Sequence, residues 1–340
     1  MKLSFEELKA ELTRAFIALG FEQERAILCA HLFTQTTCDG VYSHGVNRFP
    51  RFVHSIKTGL VKVNSVPEKV SGFAALERWD GRQGPGNLNA FAAMSRAMNL
   101  SEQYGIGCVS LRNTNHWMRG GTYGWQAAEG GCIAICWTNT MPNLPPWGST
   151  VPTVGNNPLI FAVPYNRGHV ILDMAMSQFS YGALANYQQR NESLPVDGGF
   201  DDKGNLTRDP AAIELSKRPL PIGYWKGSGL AVILDMVAAI LAMGNATHQL
   251  SGDVLQESAL SQTFIAIRPR ALGDDTQVEQ ILDGIIESLH RSPGDQTGSQ
   301  ARYPGERTLK IRQDNLSHGI PVSDEIWKKI QAVANAGNDA

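Results

Sequence analysis

The run Gly131-Cys132-Ile133-Ala134-Ile135-Cys136-Trp137-Thr138 is apolar at almost every position and is bounded by glycine and polar residues. A strand with one face in water alternates apolar and polar side chains, whereas an unbroken apolar run of this length marks a strand covered on both faces. That segment lies in a stretch, beginning near Val63, that reads as a mixed α/β region. The neighbouring pattern agrees, with strands predicted over 106–111, 159–163, 169–174 and 263–267, and a turn at Pro164-Tyr165-Asn166-Arg167-Gly168. A long helix is predicted over 89–104, and Gly227-Ser228-Gly229 opens an apolar helix over 230–243, read as a buried core helix. Residues 291–300, rich in Ser, Gly, Pro and polar side chains, read as a mobile loop.

Ahead of Val63 the texture is helical. Ser4-Phe5-Glu6-Glu7 fits a capping box, and Phe5, Leu8, Leu12, Phe16 and Leu19 repeat at helical spacing until Gly20. A second helix, over 22–37, places Ala26, Cys29, Ala30 and Phe33 on one side and ends near Gly40, and a short one over 51–58 is closed by Gly59. A last helix over 323–334 carries Asp324 and Glu325 in its first turn.

The 340 residues hold 30 basic and 32 acidic side chains spread along the chain, a formal charge of −2 that disfavours a nucleic-acid surface and favours a small-molecule ligand. Five cysteines, Cys29, Cys38, Cys108, Cys132 and Cys136, include no second close pair to complete a zinc site, so no metal is expected and the thiols read as reduced. The first residues carry acids where a secretory signal carries bases, and the apolar stretch 229–244 is short and contains Asp235, so a cytoplasmic protein without a membrane span is expected.

Ser43-His44-Gly45-Val46-Asn47-Arg48 sets an imidazole and a guanidinium four residues apart. In a helix starting at Ser43 the two would share a face; alternatively the helix starts near Pro50, which cannot donate a backbone hydrogen bond. An imidazole titrates near neutrality and can pass a proton to a carbonyl oxygen, and a guanidinium holds a carboxylate through two parallel hydrogen bonds. A small 2-keto or 2-hydroxy acid needs both. Asp173 and Asp235, beside or within apolar runs, are read as capping or backbone-bonded carboxylates as readily as catalytic ones.

The dinucleotide fingerprint of a Rossmann domain is missing: Gly81-Arg82-Gln83-Gly84-Pro85-Gly86 has the wrong order, and Pro85 removes an amide. Other motifs follow His44 in a fixed series: Asn115-His116-Trp117 with Gly120-Gly121-x-Tyr123, Gly155-Asn156-Asn157-Pro158, Leu172-Asp173-Met174-Ala175-Met176-Ser177, Lys226-Gly227-Ser228-Gly229 and Pro304-Gly305-Glu306. The series, which spans nearly the whole chain, resembles the malate/L-lactate dehydrogenase family that lacks a Rossmann domain. The resemblance implies a non-Rossmann α/β nucleotide-binding fold, with a mixed sheet, flanking helices and an N-terminal helical subdomain packed with the C-terminal helix. The expected division is 1–65 with 305–340 as the helical part and 66–304 as the α/β part.

It also implies a homodimer and an NAD-dependent oxidoreductase, with NADH as reductant and NADPH not distinguished from it. His44 matches the family's proton donor, Arg48 its substrate-binding cation and His116 a second histidine of its site. His169, Val170, Ile171, Leu172, Asp173, Met174, Ala175, Trp225, Lys226, Gly305, Glu306 and Arg307 fall where the family contacts NAD. Lys226 and the amides after it are read as a pyrophosphate cradle at a helix start, with a plain glycine-containing helix entry as the alternative. Asn156 and Met176 stand where many relatives carry Thr, which weakens any substrate assignment taken from the malate or lactate members. The expected reaction is reduction of a 2-keto sugar acid. The alternatives are another 2-hydroxy-acid dehydrogenase of malate, lactate or ureidoglycolate type, a hydrolase using the histidines as metal ligands, and a non-catalytic sugar-acid binding protein.

Overall fold

The computed structural model describes residues 1–271, 273–294 and 299–336. Residues 295–298, the middle of the loop expected over 291–300, lie outside them. In chain order the elements are β1 (Lys2–Leu3), α1 (Phe5–Ala18), α2 (Gln23–Cys38), α3 (Phe49–Lys57), β2 (Glu68–Phe73), β3 (Leu76–Asp80), α4 (Gly86–Tyr104), β4 (Ile106–Thr114), α5 (Gly121–Glu129), β5 (Ile133–Thr138), β6 (Leu159–Val163) and β7 (Val170–Met174). They continue with α6 (Tyr181–Gln189), β8 (Gly199–Phe200), β9 (Leu206–Thr207), α7 (Pro210–Ser216), α8 (Trp225–Ala242), β10 (Leu260–Ile267), α9 (Asp275–His290), α10 (Glu306–His318), β11 (Ile320–Pro321) and α11 (Asp324–Ala336).

The main sheet has seven strands in the order β2-β3-β4-β10-β5-β6-β7, with β3 and β4 parallel and the other neighbours antiparallel. The apolar run lands inside it. Ala134 and Cys136 of β5 join one core with Ala127 of α5, Ile160 of β6 and Phe264 of β10, while Trp137 and Ile135 join a second with Leu234 and Ala238 of α8. Both faces are therefore covered, as the missing alternation requires. β7 is an edge strand, and beyond its first residues the chain around Pro304 closes on it, with Ile171 N–H donating to the Pro304 carbonyl at 2.8 Å.

Helices α1, α2, α3 and α11 share a separate core that includes Leu8, Leu12, Phe16, Phe33, Phe52 and Ile330. Phe16 is its centre, with Phe21, Phe33, Phe49 and Phe52 rings 5.3 to 5.9 Å away. Truncating such a buried aromatic costs about 3–5 kcal/mol. The capping box forms as read, Glu7 N–H donating to Ser4 Oγ and Ser4 N–H to Glu7 Oε2. β1 pairs with β11, which ties the first residues to the C-terminal helix. The helical subdomain is thus built from both ends of the described chain.

The expectation of a buried helix over 230–243 needs correction. Leu234 and Ala238 are inside, but Leu230, Ile233, Met236, Ile240 and Met243 are 37–65% exposed along the outer side. α8 is apolar on all sides, long and apolar enough to cross a membrane by length and composition, yet only one side meets the sheet. Asp235 sits in that packed layer, its carboxylate accepting from Asn139 Nδ2 and Thr247 N–H at 2.9 Å. An excursion formed by α6, β8, β9 and α7 has its own small core of Leu184, Leu194 and Ile213. A Cβ at Gly182 would lie 3.4 Å from Ser43 Oγ, so the start of α6 rests against the segment carrying His44.

Candidate active site

Between α2 and α3 the chain makes two short 3-10 turns, Tyr42–His44 and Val46–Arg48, separated by Gly45 at φ −95° and ψ −133°. A continuous helix from Ser43 does not form. α3 begins at Phe49 with Pro50 in its first turn, where the missing N–H is harmless. The break has a tertiary cause: Val46 N–H donates to Thr37 Oγ1 at 3.1 Å, and a Cβ on Gly45 would sit 2.4 Å from that oxygen. His44 and Arg48 are consequently not placed by helical spacing; they meet around a third residue, His116.

His116 follows β4, where the backbone is fixed from two sides. Asn115 Nδ2 donates to the carbonyls of Leu60, Gln83 and Gly84 at 2.9–3.1 Å. Gly86, at the head of α4, comes so close that a Cβ there would be 2.1 Å from the Asn115 carbonyl oxygen and 2.3 Å from that of His116. His116 Nδ1 accepts from Met118 N–H at 3.0 Å, so the neutral ring carries its proton on Nε2. The His44 ring stacks on it, centroids 5.9 Å apart and planes 22° from parallel, and His44 Nδ1 is 3.0 Å from Ser43 Oγ. His116, Arg48, Arg51, Phe52, Asn115 and Glu257 line one cavity.

The electrostatics of this cavity are cationic. Burial, reinforced by Arg48, holds the His44 imidazole down at about 4, with Asp173 opposing and Arg119 and Arg51 adding to the effect. Burial and then Arg48 push His116 well below its ordinary range. Both rings are neutral at pH 7, and the guanidiniums carry the charge. The chemistry available is proton exchange at an imidazole beside an anchored anion.

Sequence reasoning did not find Arg51 or Glu257. Glu257 Oε2 lies 3.1 Å from Arg51 Nη2 and 3.7 Å from Arg48 Nη2. The carboxylate arrives from a loop 206 residues downstream of Arg51, so no local spacing announces it. A second missed cluster lies beside the site. Asp39, the C-cap of α2, accepts from Arg312 Nε of α10 at 2.6 Å and from Nη2 at 2.9 Å, and also from Arg119 Nη1. Arg312 in turn stacks on Trp125, its guanidinium carbon 3.7 Å from the ring centroid. Asp173 caps α5, accepting from Gly121 N–H at 2.8 Å, and lies 3.7 Å from Arg119 Nε. The capping interpretation of Asp173, and the hydrogen-bonded one of Asp235, describe both residues.

The residues matched to a dinucleotide gather along β7. Gly305, at φ +96°, sits against its beginning, where a Cβ would be 3.0 Å from Ile171 N and 3.2 Å from the His169 carbonyl oxygen. His169 Nδ1 accepts from Tyr165 N–H at 3.1 Å and its ring packs on Trp125. Glu306 bonds to Tyr303 N–H and His290, and Arg307 follows in the first turn of α10. Past the far end of β7, Met176 N–H donates to the Asn156 carbonyl and Ile222 N–H to Met176, leading into Trp225 and Lys226. From His169 to Met176 an extended chain spans on the order of 20 Å. A long ligand laid beside an edge strand fits residues spread in this way.

The amide cradle at Lys226 does not form. α8 starts at Trp225, and the N–H groups of Lys226, Gly227 and Ser228 already donate to the carbonyls of Gly223, Ile222 and Tyr224. Lys226 itself is exposed, so its ammonium, and the 66% exposed Trp225 indole, are what this corner offers a phosphate or a ring.

Comparison with known proteins matches this geometry to a family. The chain is 45% identical over 337 residues to the 2,3-diketo-L-gulonate reductase of Escherichia coli strain K12 / DH10B, covering 98% of this chain and 100% of the relative. Among solved structures, sulfolactate dehydrogenase from Methanocaldococcus jannaschii superposes with a TM-score of 0.91 at 26% identity, covering 99% of this chain and 98% of that one. The delta1-piperideine-2-carboxylate reductase from Pseudomonas syringae pvar. tomato gives 0.87 at 27% identity, covering 98% of this chain and 99% of that one. A family model described as malate/L-lactate dehydrogenase matches residues 3–331. The chain therefore belongs to the malate/L-lactate dehydrogenase family and is an oxidoreductase acting on the CH–OH group of its donors.

Proposed function

We infer that the protein reduces a 2-keto sugar acid with NADH or NADPH, and that the substrate is 2,3-diketo-L-gulonate, reduced at C2 to 3-dehydro-L-gulonate. The observation that carries this reading is the stacked His44–His116 pair beside Arg48 in a cavity whose charge is cationic. The 45% identity to a protein named 2,3-diketo-L-gulonate reductase supports the substrate.

Arg48 holds the carboxylate through its fork, which sets the adjacent C2 carbonyl beside the imidazoles. The bound nicotinamide supplies the hydride for C2. His44 gives a proton to the C2 oxygen, where negative charge grows and where a donor stabilises the transition state more than the ground state. In the resting site burial, reinforced by Arg48, keeps His44 neutral; an anion on Arg48 cancels that cation's part of the effect and favours the imidazolium. His116, locked by Met118 N–H, keeps its Nε2 proton as a fixed donor at the same oxygen.

The exposed side of α8, with Leu230, Ile233, Met236, Ile240 and Met243, supports a homodimer that covers it. The five unpaired thiols support the reducing cytoplasm. The test is NADH or NADPH absorbance in the presence of 2,3-diketo-L-gulonate, for the wild type and His44→Ala. Consumption by the wild type and a loss of roughly 10²-fold or more in kcat for the variant, with NADH affinity little changed, are expected. No consumption with either reductant, or wild-type turnover by the variant, removes the proposal.

A further inference from the structure

Two guanidiniums and one carboxylate share the cavity beside the imidazole pair. Among the described residues lining it, Glu257 is the single acid, and its side chain is 7% exposed. One oxygen, Oε2, is 3.1 Å from Arg51 Nη2, and that same nitrogen also donates to the Val254 carbonyl. Arg48 Nη2, at 3.7 Å, is outside hydrogen-bond distance of the carboxylate. Arg51 already has a counter-ion and a carbonyl within the protein, both on Nη2, whereas Arg48 makes no side-chain hydrogen bond among the described residues and keeps its donors for a ligand. Asp253, exposed on the same loop, adds to the negative surroundings of Arg51 and does not line the cavity. In the resting site His116 and the adjoining His44 are neutral, so Arg48, Arg51 and Glu257 leave one net positive charge, enough for one carboxylate; the proton that His44 gains once that carboxylate is bound is the one it passes to the C2 oxygen.

We propose that Glu257 sets the charge class of the substrate: it matches the cavity to keto acids with a single carboxylate and rejects those with two. A second carboxylate near Arg51 would meet a guanidinium already paired and a buried like charge, a repulsion that excludes the wrong ligand. The assignment rests on Arg48 holding the substrate carboxylate. It separates this site from one built for dicarboxylic keto acids by a residue outside the His44–Arg48 segment.

The experiment compares 2-oxoglutarate with its 5-methyl ester, which keeps the 2-keto acid and removes one charge, on the full-length enzyme. Both kcat/KM with NADH and Kd by calorimetry without cofactor are measured. The wild type should favour the ester by about tenfold or more. Glu257→Gln, which keeps the shape and frees Arg51, should move that ratio toward the dianion by about tenfold or more, and the double variant Arg51→Gln/Glu257→Gln, with the net charge restored, should move it back. A wild type that binds the two probes equally overturns the proposal without any variant, as does a ratio unchanged in a folded Glu257→Gln protein. Charge-selective binding with no turnover of any keto acid would refute the reductase reading and leave the selection standing; equal turnover of both probes would do the reverse.

Discussion

Asp39→Asn isolates the ion cluster beside the active site. The wild-type carboxylate is 1% exposed and faces Arg119, 5% exposed, and Arg312, 13% exposed. Asparagine keeps the size but removes the charge, leaving Arg312 without a counter-ion and the deeply buried Arg119 with only Asp173, 3.7 Å from its Nε. Breaking such a buried pair costs about 3–5 kcal/mol. Spread over 340 residues, an unfolding entropy of about 0.7 kcal/mol/K converts this to a fall in Tm of roughly 4–7 °C. Thermal unfolding followed by circular dichroism at pH 7 measures it. Adding Arg312→Gln should return part of the loss, because one orphaned cation is then absent. The pH dependence follows from the same group. Burial raises the Asp39 carboxyl, but Arg312 and Arg119 outweigh it and hold it below its ordinary value. Its stabilisation is therefore complete above the unfolded carboxyl range near pH 4 and is lost as pH falls through the lower folded value. A Tm drop under about 1 °C for Asp39→Asn, with no part of the wild type's acid sensitivity removed, would show that Asp39 does not organise these cations.

Three further outcomes are expected. His44 and His116 are both held below their ordinary range, His44 at about 4, so between pH 6.5 and 4 the unfolded chain binds protons that the folded one does not. Their contribution to stability should fall with pH across that window and be recovered in part by His44→Gln, measured by denaturant midpoints; an identical pH slope for the two proteins would contradict the assigned burial. Arg48→Lys should lower kcat/KM for keto acids by at least roughly tenfold, because a point charge does not reproduce the fork, and unchanged steady-state kinetics would eliminate the clamp. Gly86→Ala should displace the 115–116 carbonyls, lowering turnover together with roughly 1–3 kcal/mol of stability; full activity in a crystal structure with His116 unmoved would show that the contact is slack.

The sequence is most readable where the cause of structure is local. Ser4 and Glu7 cap each other across three residues, and the β5 run shows its two-sided burial without any partner in view. The two catalytic candidates were visible as a pair, but their geometry was not, since the turn at Gly45 is dictated by Thr37 Oγ1 on another element. Glu257 and Arg312 were invisible for the same reason: each reaches its partner across more than 200 residues, and isolated charges on loops or helices carry no period. Lys226 shows the opposite failure. Its glycine-rich neighbourhood looks like an open anion cradle, and only the backbone bonds to 222–224 show that the amides are occupied.

Because β1 pairs with β11, α1 packs on α11 and Asp39 accepts from Arg312, helices α1 and α2 cannot acquire their final neighbours until the segment carrying α10 and α11 has been translated. During synthesis the Phe16 cluster must wait, with greasy surface unclaimed, for partners encoded some 300 codons later, the interval in which holding chaperones act. A rearranged chain in which α10 and α11 directly precede α1 would shorten that delay.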